Sequence, residues 1–420
     1  MPLRNKGMKL VSNLKEEKMK RWICVSLMLL TLCSVVLNSC DTNKVSKVTE
    51  ASSSTVTSTS IQLSPQTSIY PGNGLINWKS KMLASNIVFG TSIAATIDEK
   101  NYLICSVNFG NNPDGSGTNA DAGIIILNIT NPDNPNEISY LKTGQDEQVQ
   151  FEGDLKLDGS ILYALTYDYL WIIDVSDPYH PKDMGKTPLA GGNDTDIEVT
   201  GKYAYVASSS EASNPTLITL DISDPIHPHI VGQITVPSIF SIMESSGSLL
   251  FALANNGLYI YDTSVPAALK QMGFLLNPFP PLTGVIPPEF IPPDFFDMAL
   301  AGNNLYIVSG IEKLLAVNIS NPAAPKIITN FEMAEQGTNI IISGGKAYLL
   351  SCNGAITFSM GVENLLAIVD ITNPSQLSEF NSILLSPTYS DSYNIMIEAS
   401  NHLYFCDDRY PVIQIMDLGK

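Results

Sequence analysis

The sequence predicts an all-β chain, a seven-bladed β-propeller of four-stranded blades whose ring is closed by an N-terminal strand. Three observations carry this reading. A phrase recurs seven times in which Asp or Asn ends an apolar run and, in six copies, Pro follows four residues later. The copies begin at Asn128, Asp174, Asp221, Asp262, Asn318, Asp370 and, without the Pro, Asp417. They stand 41 to 56 residues apart. A period of that length, rich in β-branched residues and turn formers, marks a blade, because one small sheet cannot bury both its faces alone. Each repeat also holds an aromatic in an apolar run just after a turn: Tyr102, Tyr163, Tyr205, Phe251, Tyr306, Tyr348 and Tyr404. Finally, the last repeat runs out of chain after its third strand, while Trp78 to Leu83 precedes the first repeat without a partner of its own. That segment supplies the missing fourth strand of blade 7 and removes an exposed edge.

Composition is compatible with a packed protein: 44% of residues are hydrophobic and 15% charged, against the low apolar content of disordered chains. Of 23 basic and 41 acidic residues, seven and two lie in the first 39 positions, leaving 16 and 39 beyond them. With Arg409 the one arginine in that acidic remainder, no basic footprint exists for nucleic acid or for anionic phospholipid.

Residues 1–39 read as a signal peptide. Lys18, Lys20 and Arg21 precede the apolar run Trp22 to Leu37, which is shorter than the ~20 residues a bilayer-spanning helix needs. Met19 offers an alternative start. Leu37-Asn38-Ser39-Cys40 resembles the bacterial lipobox, which implies that Cys40 is acylated and becomes the first mature residue; Asn38 departs from the usual small or aliphatic residue, and simple secretion or an uncleaved anchor are the alternatives. Residues 40–75 are Ser/Thr-rich and read as a flexible tether, and residues 76–420 as the propeller. Cys105, Cys352 and Cys406 fall on second strands of different blades and read as small buried hydrophobes.

Within a repeat the elements follow in order. In blade 3 four short strands, Asp196 to Val199, Tyr203 to Ala207, Leu217 to Ile222 and Ile230 to Val236, are separated by turn residues. Third strands such as Ile124 to Leu127 and Leu365 to Val369 are continuously apolar, as expected where neighbouring blades cover both faces. The phrase itself is scaffold: Asp and Asn side chains bond their own backbone two residues on, and Pro sets the turn between third and fourth strands. Runs such as Leu366-Ala367-Ile368-Val369-Asp370 resemble the LVIVD-repeat family of bacterial and archaeal surface proteins over about residues 78 to 420. That resemblance implies a propeller at a cell envelope and names neither a ligand nor a cofactor.

Length variation falls on one face. Loops 109–123 and 351–364 are insertions between second and third strands, and Pro278 to Asp297 is a Pro-rich insertion between blades. Second-to-third loops and blade-to-blade connections leave a four-stranded blade on the same side, so this side is the expected binding surface. Phe290, Phe295 and Phe296 in the Pro-rich lobe suit protein docking. A lectin-like reading lacks stacking platforms, since Trp78 and Trp171 are the only tryptophans beyond the signal segment.

A polar residue opens each innermost strand nine or ten positions before the aromatic: Ser92, Asp154, Asp196, Ser241, Asp297, Asn339 and Asn394. This ring at the channel mouth suits a hard cation or polar ligand; its structural alternative is capping of the strand or bonding to the backbone next door. Asp114 and Asp121 flank a Gly-containing loop as weak calcium candidates, lacking the alternation and terminal Glu of an EF-hand. His180 and His227 occupy matching turn positions, and no zinc site is expected. No nucleophile elbow, phosphate loop or paired-Cys motif occurs. The expectation is a non-catalytic binding module, lipid-anchored at the envelope, at the outer membrane or cell surface, without cofactor, that takes a protein or glycan. A periplasmic assembly scaffold, or an enzyme using the channel-mouth carboxylates, are the alternatives.

Overall fold

The computed structural model describes residues 66–68, 76–82, 89–107, 122–143, 151, 154–166, 169–189, 194–210, 213–278, 295–309, 313–333, 337–352, 364–385, 393–407 and 412–419. The chain divides into units 1–61 and 62–420, and the description concerns the second. The calls on Asp114, Asp121 and Phe290, and most of the three insertions, lie outside the described residues.

Seven antiparallel sheets follow one another along the chain. Two N-terminal strands, β1 (Gln66–Ser68) and β2 (Ile76–Met82), belong to the last of them. Blade 1 is β3 (Phe89–Ile97), β4 (Lys100–Val107), β5 (Gly123–Asn128) and β6 (Asn136–Lys142). Blade 2 is β7 (Leu155–Asp158), β8 (Ile161–Leu165), β9 (Tyr169–Asp174) and β10 (Lys182–Pro188). Blade 3 is β11 (Asp194–Thr200), β12 (Tyr203–Ser210), β13 (Ser213–Asp221) and β14 (His229–Thr235). Blade 4 is β15 (Ile242–Ser246), β16 (Leu249–Ala254), β17 (Gly257–Asp262) and β18 (Lys270–Leu276). Blade 5 is β19 (Phe295–Ala301), β20 (Asn304–Ser309), β21 (Lys313–Asn318) and β22 (Lys326–Glu332). Blade 6 is β23 (Gly337–Ser343), β24 (Lys346–Cys352), β25 (Asn364–Asp370) and β26 (Ser378–Leu385). Blade 7 is β27 (Tyr393–Ala399), β28 (His402–Asp407) and β29 (Val412–Asp417).

The ring closes as expected. β2 pairs antiparallel with β29, from Trp78 opposite Met416 to Met82 opposite Val412, and the innermost strands touch in succession from β3 to β27 and back to β3. β1 adds a fifth strand outside β2, within the segment that its composition assigns to the tether.

All seven phrases close as Asx turns. The side chains of Asn128, Asp174, Asp221, Asp262, Asn318, Asp370 and Asp417 each accept the backbone N–H two residues on, at 2.8–3.1 Å. The next residue then donates its N–H to the first hairpin of its own blade, for example Ile129 to Asn101 and Ile371 to Gly345. First and third turns therefore share one face in every blade. His180 and His227 are held inside their turns by Asp177 and Asp224, at 2.8 and 3.0 Å.

The core is divided among the seams between blades. Each aromatic landmark is at most 5% exposed, and Tyr306 Oη reaches from blade 5 to the carbonyl of Ile371 in blade 6 at 3.3 Å. Trp171 is fully buried in the cluster shared by blades 1 and 2, which removes it as a stacking platform. Cys105 and Cys406 are buried in the cluster between blades 7 and 1. Outer strands carry a bulge at which a small residue admits the next blade's turn: at Gly273 an added Cβ would stand 2.0 Å from the carbonyl oxygen of Pro322.

Candidate functional site

The predicted polar ring sits on the innermost strands, and a local device aims it. In blades 1, 3, 5, 6 and 7 the pairing of first and second strands slips by a bulge next to the ring position, between Phe89 and Ser92, Asp194 and Asp196, Phe295 and Asp297, Gly337 and Asn339, and Tyr393 and Ile395. A bulge twists the strand and re-aims the adjacent side chain. Bulged Thr195 and Thr338 direct their hydroxyls at carbonyls of the second strand, on Ala207 and Leu350.

The re-aimed side chains bond the next blade. Asp196 Oδ2 accepts the N–H of Met243 at 2.5 Å, joining blade 3 to blade 4. Asp297 Oδ2 accepts that of Ile340 at 2.8 Å, joining blade 5 to blade 6, while its Oδ1 takes its own neighbour Met298. Asn339 Oδ1 accepts that of Met396 at 3.2 Å, joining blade 6 to blade 7. Of the two readings of the ring, backbone bonding next door describes these three residues. In blade 7 the equivalent place is taken by Ile395, and Asn394 is the bulge residue before it, matching Thr195 and Thr338. Phe295 opens β19, and Phe296 is the partly buried bulge residue beside it.

A second tier was not anticipated. The residues paired opposite the aromatic landmarks are Ala95, Lys156, Glu198, Glu244, Ala299, Ile341 and Ile397. Blades 2, 3 and 4 thus carry charge where the other four carry small or apolar side chains. Lys156 Nζ lies 3.2 Å from Asp154 and 3.1 Å from Glu198 across the seam, and Glu198 accepts the hydroxyl of Ser245 in blade 4 at 2.6 Å. The signal for this tier was present in the sequence: Lys156 and Glu198 stand two residues beyond Asp154 and Asp196, the period of one strand face.

Burial sets the electrostatics. It pushes the carboxyl of Glu244 up to about 7, with Lys156 opposing and Glu198 and Asp154 adding to the rise. Asp297 is also raised to about 7 by burial, against the two backbone bonds it accepts. Asp196 is raised well above the carboxylate range by burial, which Lys156 only partly offsets. Burial works against the charged form of Lys156, but Asp154, Asp196, Glu198 and Glu244 outweigh it and hold the ammonium well above its ordinary value.

The bond to Ile340 needs an acceptor at position 297, not a charge, as Asn339 shows one blade on. Asp297→Asn is expected to keep the melting temperature unchanged or raise it at pH 8. Asp297→Ala leaves the amide without its acceptor and is expected to cost ~1–3 kcal/mol. Thermal unfolding of both variants checks this.

Among the described residues no group of three or more His, Cys, Asp or Glu is arranged to hold a metal ion. The arrangement can hold neighbouring blades in register.

Comparison with known proteins agrees with this architecture. The LVIVD repeat matches residues 153–187, 191–236, 295–332 and 360–384, covering blades 2, 3 and 5 and part of blade 6. No curated protein matches the chain. Among solved structures, a chain of "Crystal Structure of Mitotic Checkpoint Complex" is 13% identical with a TM-score of 0.56, covering 85% of this chain and 100% of that one. The computationally designed Ika8 protein is 8% identical with a TM-score of 0.50, covering 79% and 98%. At such identity these likenesses concern the fold alone. The chain is a seven-bladed β-propeller that carries LVIVD repeats.

Proposed function

We propose that this protein is a non-catalytic binding module, anchored to the bacterial cell envelope by acylated Cys40, that engages a protein or glycan through the face bearing the long second-to-third and blade-to-blade connections. One observation carries the reading: the two faces differ in kind. On one, seven Asx turns satisfy their own backbone and vary little. On the other, the ends of β4 and β5, of β24 and β25, and of β18 and β19 deliver the chain to the three insertions. Leu276, at the end of β18, and Ile239, in the connection from blade 3 to blade 4, are exposed on this face, as Tyr179, Ile226 and Val265 are on the turn face, so the reading rests on the insertions and not on apolar exposure. The ring carboxylates Asp196 and Asp297 are committed to amides of the adjoining blades, which supports assigning them no role in turnover.

Protease shaving of intact cells, with and without Cys40→Ala, tests the location. Loss of the wild-type propeller while a periplasmic control survives is the expected result, with the variant released from the membrane fraction. A protected wild-type protein would overturn surface display and favour a periplasmic assembly scaffold.

A further inference from the structure

The innermost strands of blades 2 to 5 bring together five carboxyl groups and one ammonium. Asp154 and Lys156 come from blade 2, Asp196 and Glu198 from blade 3, Glu244 from blade 4 and Asp297 from blade 5. Among the described residues Lys156 pairs directly with Asp154 and Glu198. Asp196 and Asp297 instead spend an oxygen each on the amides of Met243 and Ile340. If all six ionised, one positive charge would face five negative ones around the axis. The level opposite the aromatics offers no relief, since blades 5, 6, 7 and 1 place Ala299, Ile341, Ile397 and Ala95 there. Asp158, at the far end of β7, faces Tyr163 rather than this cluster.

We propose that the inner seams of blades 2 to 5 form a proton-held clasp, closed in mild acid and loosened as the pH rises to neutrality. The sign follows from linkage. Glu244 and Asp297 are raised to about 7 by burial, while in an unfolded or opened chain they return to the ordinary carboxylate range near 4. The closed state therefore binds more protons between about pH 4 and 7. Its advantage is complete below the opened-state value and is lost as pH rises through 7. The exposed turn carboxylates Asp174, Asp221, Asp262 and Asp370 act oppositely and elsewhere. Bonds from the hydroxyls and amides of Ser176, Ser223, Ser264 and Thr372 hold them below the usual range, so their contribution is lost only as pH falls below about 4.

The structure contains its own control. Met396 N–H makes the same inter-blade bond to Asn339, an acceptor that cannot titrate. Amide hydrogen exchange of the full-length protein in mild nonionic detergent would be compared at pH 5.5, 7 and 8.5, corrected for intrinsic rates. Protection at Met243 and Ile340 is expected to fall on the order of tenfold for each carboxyl that loses its proton, and protection at Met396 to stay level. Glu244→Gln should flatten the profile at Met243, and Lys156→Met should steepen it. Should Lys156→Met fail to fold, Glu244→Gln alone decides. Equal falls at all three amides, or a Glu244→Gln profile that matches wild type, would overturn the clasp.

Discussion

Deleting residues 76–82 is expected to produce an aggregating species whose melting temperature falls by about 5–10 °C. The segment forms β2, and its removal strips β29 of five paired residues, Val412 to Met416. At ~1 kcal/mol for each lost ladder bond the direct loss is about 5 kcal/mol, and at ~2 cal/mol/K of unfolding entropy per residue a propeller of this size moves ~1–2 °C per kcal/mol. The exposed edge adds a kinetic penalty, since an unpaired strand is a template for another chain. Size-exclusion chromatography and thermal unfolding read both effects. Adding a peptide of residues 76–82 should restore part of the loss; a monomer with unchanged melting would show that the ring does not depend on this strand.

Trp171→Ala is expected to have the largest effect of any single substitution considered. The indole is fully buried on β9 at the seam of blades 1 and 2, 6.4 Å from the ring of Phe151 between centroids. Its Nε1 donates to Asp183 at 3.0 Å, and Lys186 Nζ stands 5.6 Å from its ring. Truncation leaves a cavity too large to collapse, for a cost of ~3–5 kcal/mol, while Asp183 keeps the amide of Gly185. Trp171→Phe fills most of the volume and should recover roughly half. A loss below about 1 kcal/mol for the alanine variant, measured by chemical denaturation, would show that the seam repacks.

The fold was legible because propeller blades repeat the same local chemistry. Asp262 bonds Ser264 in blade 4 although the second polar turn residue of other blades is replaced there by Val265, and a short 3-10 turn, Pro266–Ala268, takes its place. Repetition tolerates such a lapse, so counting phrases and aromatics located every blade. The closing strand was legible by elimination, since Trp78 had no other partner. The ring positions were found, but their use was left open, because the aim of Asp196 or Asp297 depends on a bulge that strand patterning does not reveal. Lys156, Glu198 and Glu244 were passed over for a related reason. Each stands in a short strand where alternation alone assigns it to solvent, and only the ring geometry turns that face inward. Phe296 carries the reverse lesson: in a Pro-rich stretch it reads as a docking aromatic, yet the bulge in β19 partly buries it.

The Asx turns of blade 5 overlie the outer strand of blade 4 at Gly273, and those of blade 4 overlie blade 3 at Gly232, where an added Cβ would meet the Ala267 carbonyl at 2.9 Å. Blades 4 and 5 thus lean on their predecessors in the same rotational sense. A ring assembled this way behaves like overlapping roof tiles: a blade can be lifted freely only after the one laid over it has moved. Mechanical or proteolytic stripping should accordingly proceed in one direction around the circle, starting at blade 7, where β2 pairs with β29.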